Sequence, residues 1–256
     1  MKNLSILENI KTFVLDTLFP INCLGCARDN IWFCSDCQKN IELLSFQKCP
    51  VCENRITESG LVCPKCRPSS RLDALLVSVK YRDGYIRKLI HLYKYKFIED
   101  LHVPLGNLML KIILSSKIPL PDMIIPVPLH PRRLRWRGFN QSQLLADYIG
   151  KNIAAGFEIP VCENILFRKK YTSPQMKIKK YSQRLSNLED ALDVKKNDKN
   201  HLSNDLKNKT ILLIDDVATT GATIFECAKI LKANGAKKVF GVVVARQEIN
   251  SLNGSG

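Results

Sequence analysis

Two adjacent acids, Asp215 and Asp216, stand between four apolar residues, Ile211 to Ile214, and the turn Thr219-Thr220-Gly221-Ala222-Thr223. A carboxylate pair accepts hydrogen bonds from neighbouring hydroxyls. A hydroxyl-rimmed glycine turn that opens a helix does the opposite, because its unpaired N–H groups and the helix dipole favour an anion. A ligand that satisfies both carries a diol and a phosphate, as a phosphorylated ribose does. A second set of reactive side chains is the four CxxC pairs Cys23/Cys26, Cys34/Cys37, Cys49/Cys52 and Cys63/Cys66. Seven residues join Cys26 to Cys34 and ten join Cys52 to Cys63, a spacing that supplies four thiolates to each of two tetrahedral Zn²⁺ ions with no position left open. Both sites therefore read as structural. Sequential pairing as a double zinc ribbon and an interleaved cross-brace both fit this spacing, and a redox CxxC lacks its βαβ context here.

The third set follows the apolar run Met123 to Val127. It is the loop Pro128-Leu129-His130-Pro131-Arg132-Arg133-Leu134-Arg135-Trp136-Arg137-Gly138-Phe139-Asn140. Pro128 and Pro131 lack the N–H groups an anion loop would aim at its ligand, so the arginines must carry more of the contact. Arg132, Arg133, Arg135 and Arg137, flanking Trp136 and Phe139, equally suit a single-stranded nucleic acid whose bases stack on the aromatic rings.

Positioning these groups requires an α/β framework. Ile211 to Ile214 reads as a central strand of a parallel sheet, buried on both faces, with the acids at its C-terminal end where open α/β sheets hold ligands. Ile224, Cys227, Ala228 and Leu231 keep helical spacing until Gly235. Further strands are expected at Ala74 to Val79, Met123 to Val127 and Val239 to Ala245. Helices are expected from Asp83 to Phe97 and through Leu144, Leu145, Tyr148, Ile149 and Ile153. In the helix from Asp83, Arg87, Lys88, Lys94 and Lys96 fall mostly off the apolar face. Tyr171 to Leu185 is too polar for core and too long for a tight turn, and reads as a mobile loop. Cys162 and Cys227 read as small core residues.

The expected organisation is an amphipathic helix in residues 1–20, a double zinc ribbon in 21–68, a hinge at Pro68-Ser69-Ser70, an α/β domain in 72–248 and a disordered tail in 249–256. The first apolar stretch is broken by Glu8, Lys11 and Asp16 and lacks a small-residue cleavage site, so the cytoplasm is the expected compartment. No apolar run reaches the length of a membrane span. A formal charge of +15 attracts polyanions, with an affinity that falls as salt rises.

The stretch 211–223 closely resembles the phosphoribosyl pyrophosphate (PRPP) motif of type I phosphoribosyltransferases. The resemblance implies that Asp215 and Asp216 bind the ribose hydroxyls. It also implies that Ala218, Thr219, Thr220, Gly221 and Thr223 line the phosphate loop. By position, Leu129, His130, Arg132, Arg133 and Arg137 resemble the pyrophosphate loop of those enzymes. Thr172, Gln175, Lys179 and Arg184 lie where those enzymes keep a flexible lid that excludes water. Purine-salvage relatives often carry a third acid where this chain has Thr219, which counts against oxopurine transfer.

The paired CxxC knuckles, Pro-Val-Pro-Leu with Arg137-Gly138-Phe139-Asn140-Gln141, Thr172-x-x-Gln175, Arg184-x-x-Asn187 and the PRPP motif together resemble the ComF family of competence proteins, from Cys23 to Arg246. That resemblance implies a type I phosphoribosyltransferase fold behind a small zinc-ribbon module, binding PRPP with Mg²⁺. It further implies binding of single-stranded DNA through Arg132, Arg133, Arg135, Trp136 and Arg137 during DNA uptake in natural transformation. Competence-machinery proteins at the inner membrane face are further implied partners. The alternative from a different class is an active phosphoribosyltransferase of nucleotide metabolism or salvage, of unknown acceptor and with no DNA role.

Overall fold

The computed structural model describes residues 21–169, 191–194 and 206–247. The chain divides into two compact units, Met1–Glu42 and Leu43–Gly256. The division falls inside the 21–68 segment expected as one module. In the first unit a short helix α1, Ser35–Lys39, begins at Cys34, whose thiol accepts a hydrogen bond from the Cys37 N–H.

The second unit begins with a two-stranded antiparallel ribbon, β1 (Gln47–Lys48) and β2 (Ile56–Thr57). It then builds a four-stranded parallel sheet from β3 (Ala74–Lys80), β4 (Met123–Pro126), β7 (Thr210–Ala218) and β8 (Lys238–Arg246), in the order β3-β8-β7-β4. The four apolar runs expected as strands are those four strands. A separate antiparallel pair, β5 (Leu166–Arg168) with β6 (Leu192–Val194), has no counterpart in the sequence expectations.

Why the segment 43–66 belongs to the larger unit is visible in its hydrogen bonds. β3 is an edge strand, and an uncovered edge is a template for wrong pairing. Here Leu44 N donates to Ser78 O, Val62 N donates to Asp73 O, and the Gln47 amide both donates to Val77 O and accepts from Val77 N. The cysteine segment thus covers the sheet edge. Arg67–Ser69 forms a short 3₁₀ turn where a hinge is expected.

Helix α2, Gly84–Tyr95, starts where Asp83 accepts from the Tyr85 and Ile86 N–H groups, and buries Ile86, Leu89, Ile90 and Tyr93 at helical spacing. Helix α3, His102–Ser115, was covered by no sequence expectation; it buries Leu105, Leu108, Met109 and Ile112. Helix α4, Pro131–Arg137, replaces most of the expected arginine loop. His130 caps it by accepting from Arg132 N, Pro131 fits its first turn, and Gly138 at φ 82° ends it. Helix α5 is Gln141–Asn152 and α6 is Ala222–Ala233.

Strand alternation sorts these helices between the two faces. Leu75, Met123, Ile125, Ile211, Leu213, Val239 and Val243 share a core with Ile224, Cys227, Ala228 and Leu231 of α6 and with β5 and β6. The alternate position Ile124 lies against α5 instead, and α5 packs on α3.

Candidate functional site

The site lies at the C-terminal end of β7. That strand runs on through both acids to Ala218, and β4 beside it stops at Pro126, so the two strands do not end level. Successive residues of a strand point to opposite faces, and the two carboxylates accordingly have different partners. Asp215 Oδ1 accepts from Ser142 Oγ at 2.9 Å, at the start of α5, and from Asp216 N at 2.9 Å. Asp216 is buried, and its Oδ1 lies 2.9 Å from Lys94 Nζ of α2.

Burial, reinforced by the Asp216 charge, pushes the Asp215 carboxyl up to about 7, against the opposing pull of Lys94 and the Ser142 hydroxyl. Burial works against the Lys94 charge as well, but Asp216 outweighs it and holds the ammonium above its ordinary value.

Thr219, Thr220 and Gly221 turn the chain from β7 into α6. Gly221 takes φ 78°, a left-handed conformation that a side chain resists, and a Cβ there would meet the Phe225 ring at 2.9 Å. Thr220 Oγ1 accepts from Ala222 N, which ties the turn to the helix start. Thr223 Oγ1 accepts from the Arg168 guanidinium at 3.4 Å, and Arg168 Nε also donates to Pro128 O at 3.1 Å. Arg168 therefore joins the threonine turn to the segment leading into α4. Burial, ahead of the neighbouring Arg133 charge, lowers its pKa, which still leaves a guanidinium charged at neutral pH.

The arginines of α4 divide. Arg133 and Arg137 are half-buried, whereas Arg132, Arg135 and Trp136 are exposed. Arg137 donates to Gln141 Oε1 at 2.9 Å, stacks over Tyr95 at 5.7 Å, and lies within the field of both Asp215 and Asp216. Trp136 meets Phe97 edge-on with ring centroids 5.2 Å apart. Burial and the charges of Arg168, Arg133, Arg135 and Arg132 hold His130 below its usual pKa, so its ring is neutral when it caps α4. Leu129 is half-buried beside it.

Lys94, Ser142 and Arg168 are site residues that sequence reasoning missed. Lys94 carried a legible signal: it stands four residues after Ile90 and eight after Ile86, on the apolar stripe of α2 and not off it as expected. Thr172, Gln175, Lys179 and Arg184, the residues of the expected lid, lie outside the described residues, as do the expected N-terminal helix and tail.

The eight cysteines form two groups in sequential order, Cys23/Cys26/Cys34/Cys37 and Cys49/Cys52/Cys63/Cys66, and the interleaved arrangement does not occur. Within each group all sulfurs lie within 4.8 Å of one another. Cys26 and Cys34 sulfurs are 3.7 Å apart, and those of Cys52 and Cys63 are 4.0 Å apart. Four thiolates at a Zn–S bond of about 2.3 Å around a tetrahedral ion would stand about 3.8 Å apart, so both groups fit a closed, four-sulfur metal centre. Cys23 and Cys34 thiols in one group and Cys49 in the other also accept backbone N–H bonds, as knuckle sulfurs do when they are thiolates.

A family model described as a phosphoribosyl transferase domain matches residues 148–252. The chain is 29% identical over 231 residues to Competence protein F of Haemophilus influenzae, covering 86% of this chain and 95% of that one. It is 32% identical over 197 residues to DNA utilization protein YhgH of Shigella flexneri, covering 75% and 80%. The chain belongs to the ComF family. Among solved structures, the glutamine PRPP amidotransferase from B. subtilis, complexed with ADP and GMP, is similar at a TM-score of 0.35 and 17% identity over 56% of this chain and 26% of its own. The ComF chain thus joins two four-cysteine groups to a type I phosphoribosyltransferase fold, with its acid pair and threonine turn on β7 and α6. No described helix is long and apolar enough to cross a membrane.

Proposed function

We propose that this ComF-family protein binds PRPP with Mg²⁺ at the turn between β7 and α6, binds single-stranded DNA along the outer side of α4, and acts in DNA uptake. The observation that carries the reading is the convergence of an acid pair, a left-handed threonine-glycine turn and the inner arginines of α4 at one end of a parallel sheet. Asp215 and Asp216 would accept the ribose hydroxyls, and the turn of Thr219 to Thr223 would hold the 5′-phosphate. Arg133 and Arg137 would face the diphosphate, which carries Mg²⁺ with it and shares its negative charge between the ion and the guanidiniums. A buried Asp216 already paired with Lys94 means that the ribose must compete with an ammonium, so Lys94 moves, or stays and shares the carboxylate. Supporting the DNA role are the names of the relatives, a competence protein and a DNA utilization protein. The two reactive cysteine groups are assigned zinc, the soft, redox-inert ion that four thiolates favour.

Calorimetric titration with PRPP and Mg²⁺, with and without a single-stranded oligonucleotide, tests the reading; absence of heat with PRPP would remove its first half. For the second half, replacing exposed Arg132 and Arg135 by alanine is expected to weaken oligonucleotide binding and to flatten its log–log salt dependence by about 0.7 for each phosphate that the variant no longer neutralises. Trp136→Ala is expected to cost about 1–3 kcal/mol with little change of salt slope, as a stacking loss would. Unchanged binding in all three variants would place the DNA surface elsewhere. Pyrophosphate release with a supplied base, insensitive to DNA, would favour the salvage alternative.

A further inference from the structure

Arg246 ends β8, in register with Ala218 of β7 on one side and Lys80 of β3 on the other. Its side chain is only 10% exposed, and it spans two sites. The Nη2 atom donates to Pro50 O at 3.0 Å and to Glu53 Oε1 at 2.5 Å, and reaches Thr220 O at 3.4 Å. Pro50 and Glu53 belong to the knuckle Cys49-Pro50-Val51-Cys52-Glu53 of the second cysteine group. Thr220 belongs to the turn that opens α6.

The knuckle end of this bridge is rigid only while its turn is held. Glu53 has φ 54°, a left-handed conformation rare for glutamate, and its N–H donates to Cys49 O at 2.9 Å. A metal on Cys49 and Cys52 fixes that turn, and with it the positions of Pro50 O and the Glu53 carboxylate. The other end is just as confined. Thr220 O is the last carbonyl before Gly221, and a Cβ on Gly221 would lie 3.6 Å from the same Nη2. All three contacts run through Nη2, whose two N–H groups are shared among the acceptors, and a lysine side chain, one atom shorter, would not carry its ammonium to the same point.

We propose that Arg246 is a positioning residue that couples the metal of the second cysteine group to the threonine turn, so that occupancy of one site sets the geometry of the other. With the metal bound, the guanidinium pins Thr220 O and the N–H groups of the turn converge. Without it, Pro50 and Glu53 shift, Arg246 loses two of its acceptors and the turn loosens. Linkage makes the effect reciprocal: an anion that orders the turn protects the knuckle. The assignment of PRPP as that anion rests on the function proposed above; the tether between metal and turn does not.

Hydrogen exchange read by mass spectrometry on the full-length, metal-loaded chain separates the two. In the wild type, chelation of the metal is expected to raise exchange in residues 219–225 as well as in 49–55. In Arg246→Lys, exchange at 219–225 is expected to be raised already, and chelation adds nothing there. Glu53→Gln, which keeps size and shape, is expected to fall between. Adding PRPP with Mg²⁺ to the wild type is expected to slow exchange in both segments. In Arg246→Lys only 219–225 responds, with PRPP affinity reduced roughly fivefold or more. Exchange at 219–225 that ignores chelation in the wild type, or PRPP affinity and knuckle protection unchanged in both variants, would overturn the coupling and leave Arg246 a simple anchor. If the wild type binds no PRPP, the ligand reading fails, and the chelation arm alone decides the tether.

Discussion

Replacing Asp215 and Asp216 together by alanine is expected to lower affinity for PRPP with Mg²⁺ by about 100-fold or more. Each carboxylate would accept a charge-assisted hydrogen bond from a ribose hydroxyl, worth about 1.5–3 kcal/mol, and two such losses correspond to two to four decades in Kd. The same double change disturbs packing. Asp216→Ala strands Lys94, whose side chain is 19% exposed, without its partner, and breaking a buried pair from one side costs about 3–5 kcal/mol before allowance for that exposure. Two companions separate binding from folding. Asp215→Asn keeps the volume of the side chain and an oxygen for Ser142 Oγ, and should fold as the wild type does while still losing affinity. Asp216→Ala with Lys94→Met removes both charges and should recover stability without recovering PRPP. Calorimetry for binding and thermal unfolding for stability report the two effects apart. Wild-type affinity in a folded double-alanine variant would exclude the acid pair from the ligand site.

The second large effect is expected from the cysteines. Cys49 and Cys63 are fully buried, and the small cluster around them is Cys49, Val62 and Cys63, with Cys52 and Cys66 packed against it. So few apolar side chains cannot hold a fold by burial, and a structural metal must supply the difference. Cys63→Ser, or removal of the metal by a strong chelator, should lower stability by roughly 3 kcal/mol or more, which for a domain of this size is a fall in Tm of about 6–12 °C. Because the same segment hydrogen-bonds to β3 through Leu44 and Gln47, and to Asp73 just before it through Val62, its loss also bares a sheet edge, and aggregation should rise with protein concentration. Metal content and differential scanning fluorimetry, measured before and after chelation, check this. An unchanged Tm in metal-free protein would assign the stability of the knuckle to something other than the ion.

Both effects draw on features that were legible along the chain, and their details show where legibility stops. Ile211 to Ile214 marked a doubly buried parallel strand because such a strand has no polar face to show, and β7 lies where that pattern requires, between β8 and β4. The CxxC spacing marked two four-sulfur groups because ligand number and loop length are local properties. Their sequential order could not be read, since the interleaved alternative satisfies the same spacing. Helix α4 was concealed by Pro128 just before it and by Pro131 at its start. Pro131 breaks a helix only in its interior, and here it occupies the first turn behind a histidine cap.

What the linear order of residues determined by itself is therefore the set of local devices: strands, knuckles, the acid pair and its threonine-glycine turn. What only the tertiary structure decided is who stands opposite whom. Lys94 reaches Asp216 across more than a hundred residues of chain, Ser142 reaches Asp215 from α5, and Arg246 reaches back to Glu53 in the second cysteine group. None of these pairs shares a local pattern. Each exists because burying a charge in a sheet core is tolerable only beside an opposite charge or a donor, and the packing of distant elements alone determines which one is near enough to serve.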